Sequence, residues 1–137
     1  MGSARVLVVE DNQVNLELVV ALLEAEDCTV ISAGTGEEGI RRALQERPDL
    51  IFMDIQLPEA TGYEVTRRLK QEPATARIPV VALTAQAMKG DRERALAAGC
   101  DEYCPKPLDV RRFREIVRRF LSPRQDGATG REEGAGG

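Results

Sequence analysis

The order of apolar segments along the chain predicts an open, doubly wound α/β domain, with a five-stranded parallel sheet made from five successive βα units. Short β-branched runs alternate strictly with stretches whose apolar residues recur at helical spacing. Such alternation implies parallel strands joined by right-handed crossovers, with helices on both faces of the sheet. At 137 residues the chain has the usual size of one domain, and it falls far short of the roughly 250 that a closed eight-fold barrel requires. Hydrophobic residues make up 42% and charged residues 31%, a balance that can pack a core and is too apolar for a wholly disordered chain.

The first strand is read in residues 4–9, Ala-Arg-Val-Leu-Val-Val, which stop at acidic residues and are apolar enough to be buried on both faces. Asn12 or Asn15 then starts a helix. In it Leu16, Leu18, Val19, Leu22 and Leu23 share one face as far as Ala25, with Glu17 and Glu24 on the other. Residues 28–32 form the second strand, Gly34 and Gly36 a turn, and residues 37–46 a helix that Pro48 ends. The cycle repeats with a strand at 49–53, a loop holding Pro58 and Gly62, and a helix at 63–71. The fourth strand is placed at 79–83, and a helix at 88–98 is closed by Gly99 at a position suited to a left-handed C-cap. A weaker fifth strand at 101–105 precedes the last helix, 110–121, where Val110, Phe113, Ile116, Val117 and Phe120 form one stripe. The domain is therefore placed at 1–121. Residues 122–137 have no aliphatic side chain larger than alanine and read as a disordered polar tail.

Composition excludes several classes. A net charge of −4 and a pI near 5.0 argue against nucleic-acid binding, which relies on clustered Lys and Arg. No run approaches the roughly 20 apolar residues of a membrane span. The three cysteines, Cys28, Cys100 and Cys104, are an odd set without a paired framework, and no secretory h-region precedes them, so the reducing cytoplasm is the expected compartment. Cys100 and Cys104 are spaced as two metal ligands can be, but the chain has no histidine and Cys28 is distant in sequence.

In open α/β sheets the ligand crevice lies beyond the carboxyl ends of the strands. Here Glu10 and Asp11 follow the first strand, Asp54 the third and Thr84 the fourth, while the fifth leads into Lys106. With the strand order 2-1-3-4-5, three carboxylates, a hydroxyl and an ammonium converge on one edge. Carboxylates on adjacent strand ends must shift their pKa or share a cation. Hard oxygen ligands at an open edge favour Mg²⁺, which keeps several waters and takes substrate phosphate oxygens. Lys106 would bring a compact positive charge, and Thr84 a hydroxyl donor, to a transferring phosphoryl group. Asp54 would be the nucleophile, forming an aspartyl phosphate. Each residue alone has a plainer reading: Asp11 as a helix cap, Thr84 as a turn or cap residue, Lys106 as a solvated charge. Their joint placement favours the chemical reading. Asp54 is the sharpest case, because it ends the apolar run Leu50-Ile51-Phe52-Met53 with a group that is costly to bury unpaired.

Four segments, in this order, carry a family likeness: Val-Leu-Val-Val-Glu-Asp-Asn, Asp-Leu-Ile-Phe-Met-Asp-Ile-Gln-Leu-Pro, Val-Ala-Leu-Thr-Ala and Ala-Gly-Cys-Asp-Glu-Tyr-Cys-Pro-Lys-Pro-Leu. They resemble the receiver domain of bacterial response regulators, a family that includes the chemotaxis regulator, and the likeness runs from residue 4 to 121. The resemblance implies a flavodoxin-like fold in which Asp54 accepts phosphate. It implies that Asp11 and Asp54 ligate Mg²⁺ with the backbone carbonyl of Gln56, that Glu10 acts largely through water, and that Lys106 and Thr84 contact the phosphoryl group. It further implies that Thr84 moves toward phosphate and draws Tyr103 inward, reshaping the surface of the fourth helix, fifth strand and fifth helix. The plainer alternative for Tyr103 is an edge aromatic with a solvated hydroxyl. Gln56 and Gln86, two residues after Asp54 and Thr84, stand at family positions that influence phosphate lifetime. The Lys106-Pro107 bond is cis in many relatives, although cis is the minority state of any X-Pro bond.

With no histidine in the chain, a histidine kinase or histidine phosphotransfer protein must supply the phosphohistidine. Output is expected through a downstream protein target, with homodimerisation on phosphorylation as one route. A stand-alone regulator and a receiver from a hybrid histidine kinase both remain open. Met-Asp-Ile-Gln-Leu-Pro and Ala-Met-Lys-Gly-Asp-Arg-Glu-Arg look like hybrid-kinase receivers and single-domain cell-cycle regulators. Arg111, Arg112, Arg114, Arg118 and Arg119 make a basic face on the last helix that is either a docking surface or simply solvated. Two rival classes compete with a signalling domain. An aspartyl-phosphate phosphatase usually places a second Asp two residues after its nucleophile, where Gln56 cannot transfer protons. A degenerate receiver serving as a dimerisation module would have no use for the full acidic, Thr and Lys set.

Overall fold

The computed structural model of the chain describes residues 4–84 and 90–121. The elements are β1 (Arg5–Val9), α1 (Gln13–Glu24), β2 (Thr29–Ala33), α2 (Gly36–Glu46), β3 (Leu50–Asp54), α3 (Gly62–Gln71), β4 (Val80–Thr84), α4 (Asp91–Ala98), β5 (Glu102–Pro105) and α5 (Val110–Leu121). The five strands pair in parallel in the order β2-β1-β3-β4-β5, the doubly wound sheet that the alternating sequence predicts. Residues 122–137, read as a polar tail, and residues 85–89, which include Gln86, lie outside the described residues.

Strand side chains alternate between two apolar layers. Leu7, Val9, Ile51, Met53, Val80 and Ala82 pack with Ala43, Val65, Leu69 and Ala95 of α2, α3 and α4. Val6, Val8, Leu50, Phe52, Val81 and Leu83 pack with Val19, Leu23, Phe113, Ile116 and Val117 of α1 and α5. Phe52 stacks on Phe113 with ring centroids 4.8 Å apart. Every residue of β3 and β4 is buried, whereas in the edge strand β2 Thr29 and Ser32 are exposed, Val30 and Ile31 half-buried and only Ala33 buried. Cys28 and Cys104 belong to one layer and Cys100 to the other, all as free buried thiols, so the sheet separates the two cysteines whose spacing resembled a metal pair.

Three strands run one residue further than the polar boundaries imply. β2 ends at Ala33, β3 includes Asp54 and β4 includes Thr84. The ladder is made of backbone groups and continues past a polar side chain: Asp54 pairs with Leu83, and Thr84 with Pro105. The first helix is capped by Asn12, whose side chain accepts from the Asn15 amide at 3.0 Å. That removes Asn15 as the start and leaves Asp11 free of a capping role. Gly36 is the first residue of α2, behind the N-cap Thr35, rather than part of a turn before it. Gly99 caps α4 with φ 107, as its sequence position implies. Leu18 and Val110 stay 46% exposed although both fall on apolar stripes.

Most of the basic face of α5 is used within the chain. Arg114 and Arg118 each lie 3.1 Å from Glu26, and Arg119 lies 2.7 Å from Glu102. Arg112 donates to the Tyr103 carbonyl. Arg92 of α4 also reaches Glu102, at 3.2 Å, so this carboxylate on β5 ties α4 to α5. Burial alone would raise the pKa of Glu102. Hydrogen bonds from Arg119 and the Tyr103 amide, with the charges of Arg119 and Arg92, outweigh it and hold the carboxyl below its ordinary value of 4.5. A depressed folded pKa means stability that is present above the unfolded value and lost as pH falls through the folded one. Because both arginines are more than half exposed, Glu102→Ala is expected to cost about 1 kcal/mol at neutral pH. The loss should shrink toward zero below pH 4, as thermal melts across that range would show.

Candidate functional site

The carboxyl edge of the sheet gathers the site because β1 and β3 are neighbours at its centre and β4 follows. Glu10, just past β1, is 2% exposed, and Asp54 at the end of β3 is 3% exposed; Asp11 beside them is open to solvent. Carboxylate oxygens from Glu10, Asp11 and Asp54 all lie within 4.8 Å of one another. Lys106, 96 residues from Glu10, places its ammonium 2.8 Å from Glu10 Oε1 and 3.5 Å from Asp54 Oδ1. The Asn12 amide donates to Glu10 Oε2 at 3.2 Å, and the Gln56 amide to Asp54 Oδ1 at 3.1 Å.

One ammonium against three carboxylates leaves the cluster short of positive charge. Burial, then the neighbouring charge of Glu10, push the Asp54 carboxyl up from 3.8 to about 6, against the opposing pull of Lys106 and the Gln56 amide. A hard divalent cation answers that imbalance. Ligand oxygens around Mg²⁺ stand about 3 Å apart when adjacent and about 4.2 Å when opposite, given metal–oxygen distances near 2.1 Å. The carboxylate oxygens here lie within 4.8 Å of one another, close to that range, and Asp11 is exposed. The donor set fits the ion.

The backbone fixes Asp54 closely. Gly62, at the start of α3, donates its amide to the Ile55 carbonyl at 2.8 Å, and a Cβ on it would run into the Asp54 carbonyl and the Ile55 Cα. Thr84 is 3% exposed at the end of β4, and its carbonyl accepts from the Lys106 amide at 2.7 Å. Lys106-Pro107 is cis. Tyr103, 9% exposed, packs in the layer with Ala82, its partner across the ladder. Burial, with the nearby charge of Asp91, raises its phenol pKa. The ring is therefore largely buried on the edge strand β5. A cleft of about 560 Å³ is lined by Gln56 and Thr84 together with Tyr63, Asp91 and Arg94.

Thus the structure brings Glu10, Asp11, Asp54 and Lys106 into one cluster, sets Gln56 and Thr84 at its rim, and places Tyr103 one strand over in the adjoining core. Sequence reasoning missed the ion pair of Lys106 with Glu10, for which nothing in linear spacing is a signal.

The sequence model for the response regulator receiver domain matches residues 6–118. The chain belongs to this family. Over 116 residues the receiver is 47% identical to the polar-differentiation response regulator DivK of Brucella anthropi, covering 85% of this chain and 94% of that protein. It is similar to the receiver domain of a sensor histidine kinase of Pseudomonas aeruginosa PAO1, solved with a magnesium ion in its active-site cleft. That match has TM-score 0.81 and 36% identity, covering 88% of this chain and 99% of that one. A third similarity is to the receiver domain of the Saccharomyces cerevisiae response regulator Ssk1, solved with the histidine phosphotransfer protein Ypd1, at TM-score 0.80 and 26% identity over 90% of this chain and 92% of that one. No helix among the described residues is long and apolar enough to cross a membrane.

The raised pKa of Asp54 has a sign that can be tested. An acid whose folded pKa exceeds its unfolded value destabilises the fold once ionised, so stability falls as pH rises from about 4 to about 6 and stays lower above that range. In metal-free protein at pH 7.5, Asp54→Asn is expected to gain on the order of 1–3 kcal/mol, read as a higher melting temperature that converges with the native chain near pH 3.5. Mg²⁺ should raise the melting temperature of the native chain and leave the variant nearly unmoved.

Proposed function

We propose that this receiver is a phosphoacceptor in a two-component phosphorelay, taking a phosphoryl group onto Asp54 from a phosphohistidine on a histidine kinase or histidine phosphotransfer protein. The observation that carries the reading is the position of Asp54: a buried carboxylate at the end of the central strand, flanked by two acidic residues and a lysine. Asp11, Asp54 and the backbone carbonyl of Gln56 are the groups proposed to hold Mg²⁺, with Glu10 acting through water and through Lys106. Bound there, Mg²⁺ supplies the positive charge that lets anionic phosphoryl oxygens approach a carboxylate.

The protein's own part is positioning and charge, since phosphoryl transfer asks little covalent chemistry of it. An Asp54 oxygen attacks phosphorus, the P–O bond forms as the P–N bond to the donor imidazole breaks, and the imidazole leaves with that electron pair. Lys106 is within reach of Asp54 and would shift part of its attraction from Glu10 to the new phosphoryl oxygens. Thr84 would donate its hydroxyl to the same group. Water then returns Asp54 and inorganic phosphate. Gln56 flanks the path of that water and is assigned to timing; Gln86, in the same role, lies outside the described residues.

For the output step, Thr84 and Ala82 point to one side of β4, and Ala82 is the ladder partner of Tyr103. Movement of Thr84 toward phosphate would thus be felt by Tyr103 and by the surface of α4, β5 and α5. The 47% identity to DivK supports a response-regulator role for a receiver at residues 1–121, working in the cytoplasm on a downstream protein or by homodimerisation, whether it stands alone or belongs to a hybrid histidine kinase. The full acidic, Thr and Lys set weighs against a degenerate dimerisation module, and Gln56 against a phosphatase.

Intact mass after incubation with acetyl phosphate is the direct test. The native chain is expected to gain one phosphoryl group with Mg²⁺ and none in EDTA, and Asp54→Ala to gain none; no gain on the native chain would leave the degenerate module. Decay of the phosphorylated form is expected to change severalfold in Gln56→Ala, followed by the same mass measurement over time, and an unchanged rate would remove Gln56 from timing.

A further inference from the structure

The loop between β3 and α3, residues 55–61, carries Gln56 and begins directly after Asp54. It is a closed ring: Gln56 bridges to Thr61, and the Gly62 amide binds the Ile55 carbonyl at 2.8 Å. Leu57 seats it in the core. At its outer side the Glu59 carboxylate crosses to another element and accepts from the Gly36 amide at 2.5 Å, 23 residues away in sequence.

Gly36 is the first residue of α2, where amides have no helical partner. The N-cap Thr35 hydroxyl already takes the Glu38 amide at 3.1 Å, and Glu38 reaches back to the Gly34 amide at 3.2 Å. The Gly36 amide is left to an outside acceptor, and a carboxylate at a helix N-terminus gains from the helix dipole as well as the hydrogen bond. The notch is shaped for it. A Cβ on Gly36 would stand 2.6 Å from Val65 Cγ2 and 2.9 Å from Glu59 Oε2, so glycine here is what lets the loop and α3 close on α2.

We infer that Glu59 is a positioning residue of the phosphorylation site, staking the 55–61 loop to the N-terminus of α2 and so setting where Gln56 stands relative to Asp54. Only Leu57 and Pro58 separate Glu59 from Gln56, whose amide holds Asp54 Oδ1 at 3.1 Å and whose carbonyl is the proposed backbone ligand. With the stake gone, Leu57 and Gly62 keep the loop folded but not its outer half, and the metal must then order it. This inference rests on the receiver reading and extends it to one residue that touches neither metal nor phosphate.

The test measures Mg²⁺ binding directly by calorimetry on the full chain, with the Gly36 amide followed by NMR. Glu59→Ala is expected to fold, because Glu59 is exposed, to lose protection at the Gly36 amide, and to bind Mg²⁺ about tenfold more weakly, the scale typical of residues that orient metal ligands. Glu59→Gln keeps an acceptor and should recover most of the affinity. With acetyl phosphate, Glu59→Ala should need about tenfold more Mg²⁺ for half-maximal phosphorylation while its rate at saturating Mg²⁺ stays near native, a split that general loss of stability would not produce. Native affinity in Glu59→Ala, or an equal loss in Glu59→Gln, would overturn the inference. If the native chain itself bound no Mg²⁺, the receiver reading would fail first and the inference with it.

Discussion

Asp54 is a carboxylate placed at the end of the fully buried central strand of the sheet, beside a second buried carboxylate, and the surrounding structure answers the electrostatic cost of that placement. Two buried acids a few ångströms apart cannot both ionise cheaply in a poorly polarisable interior. Lys106, directly after β5 and 96 residues from Glu10 in sequence, reaches both Glu10 and Asp54, and two backbone amides, from Asn12 and Gln56, donate to the same pair. These contacts reduce the imbalance without removing it. The residual negative charge of the three clustered carboxylates is what suits the site to a hard divalent cation.

The sheet makes such a site possible because its strength does not depend on the functional residues. β3 and β4 are apolar on both faces, so the layers above and below hold the strand ends in place while the polar groups project past them. The last residue of a strand is then rigid and at the carboxyl edge of the sheet. Glycine completes the arrangement where backbone must approach backbone, as Gly62 does over the Asp54 carbonyl.

Around the site, ion pairs between elements take up charges that a sequence presents as free. Glu26 binds two arginines of α5, and Glu102 binds one from α4 and one from α5. The basic stripe of the last helix is thereby largely an internal fastening between helices and sheet. Glu59 does a related job for the loop after Asp54, with a helix N-terminus as partner instead of an arginine.

The amino-acid sequence by itself determined the strand and helix order, the parallel sheet and the identity of the acidic, hydroxyl and lysine residues at strand ends, because hydrophobic periodicity and the chemistry of strand-terminal residues are local properties. It also placed the Gly99 cap and the whole of α5. Strand ends were legible only to within one residue, since a polar side chain marks where burial stops and not where the backbone ladder stops. Only the tertiary structure decided that Lys106 rests on Glu10, that the Tyr103 ring is largely buried, that the arginines of α5 are mostly paired, and that Glu59 takes the Gly36 amide at the start of α2. Each of these joins residues far apart in the chain, and the partner of a charge is selected by which surfaces packing brings together, a quantity no linear spacing contains.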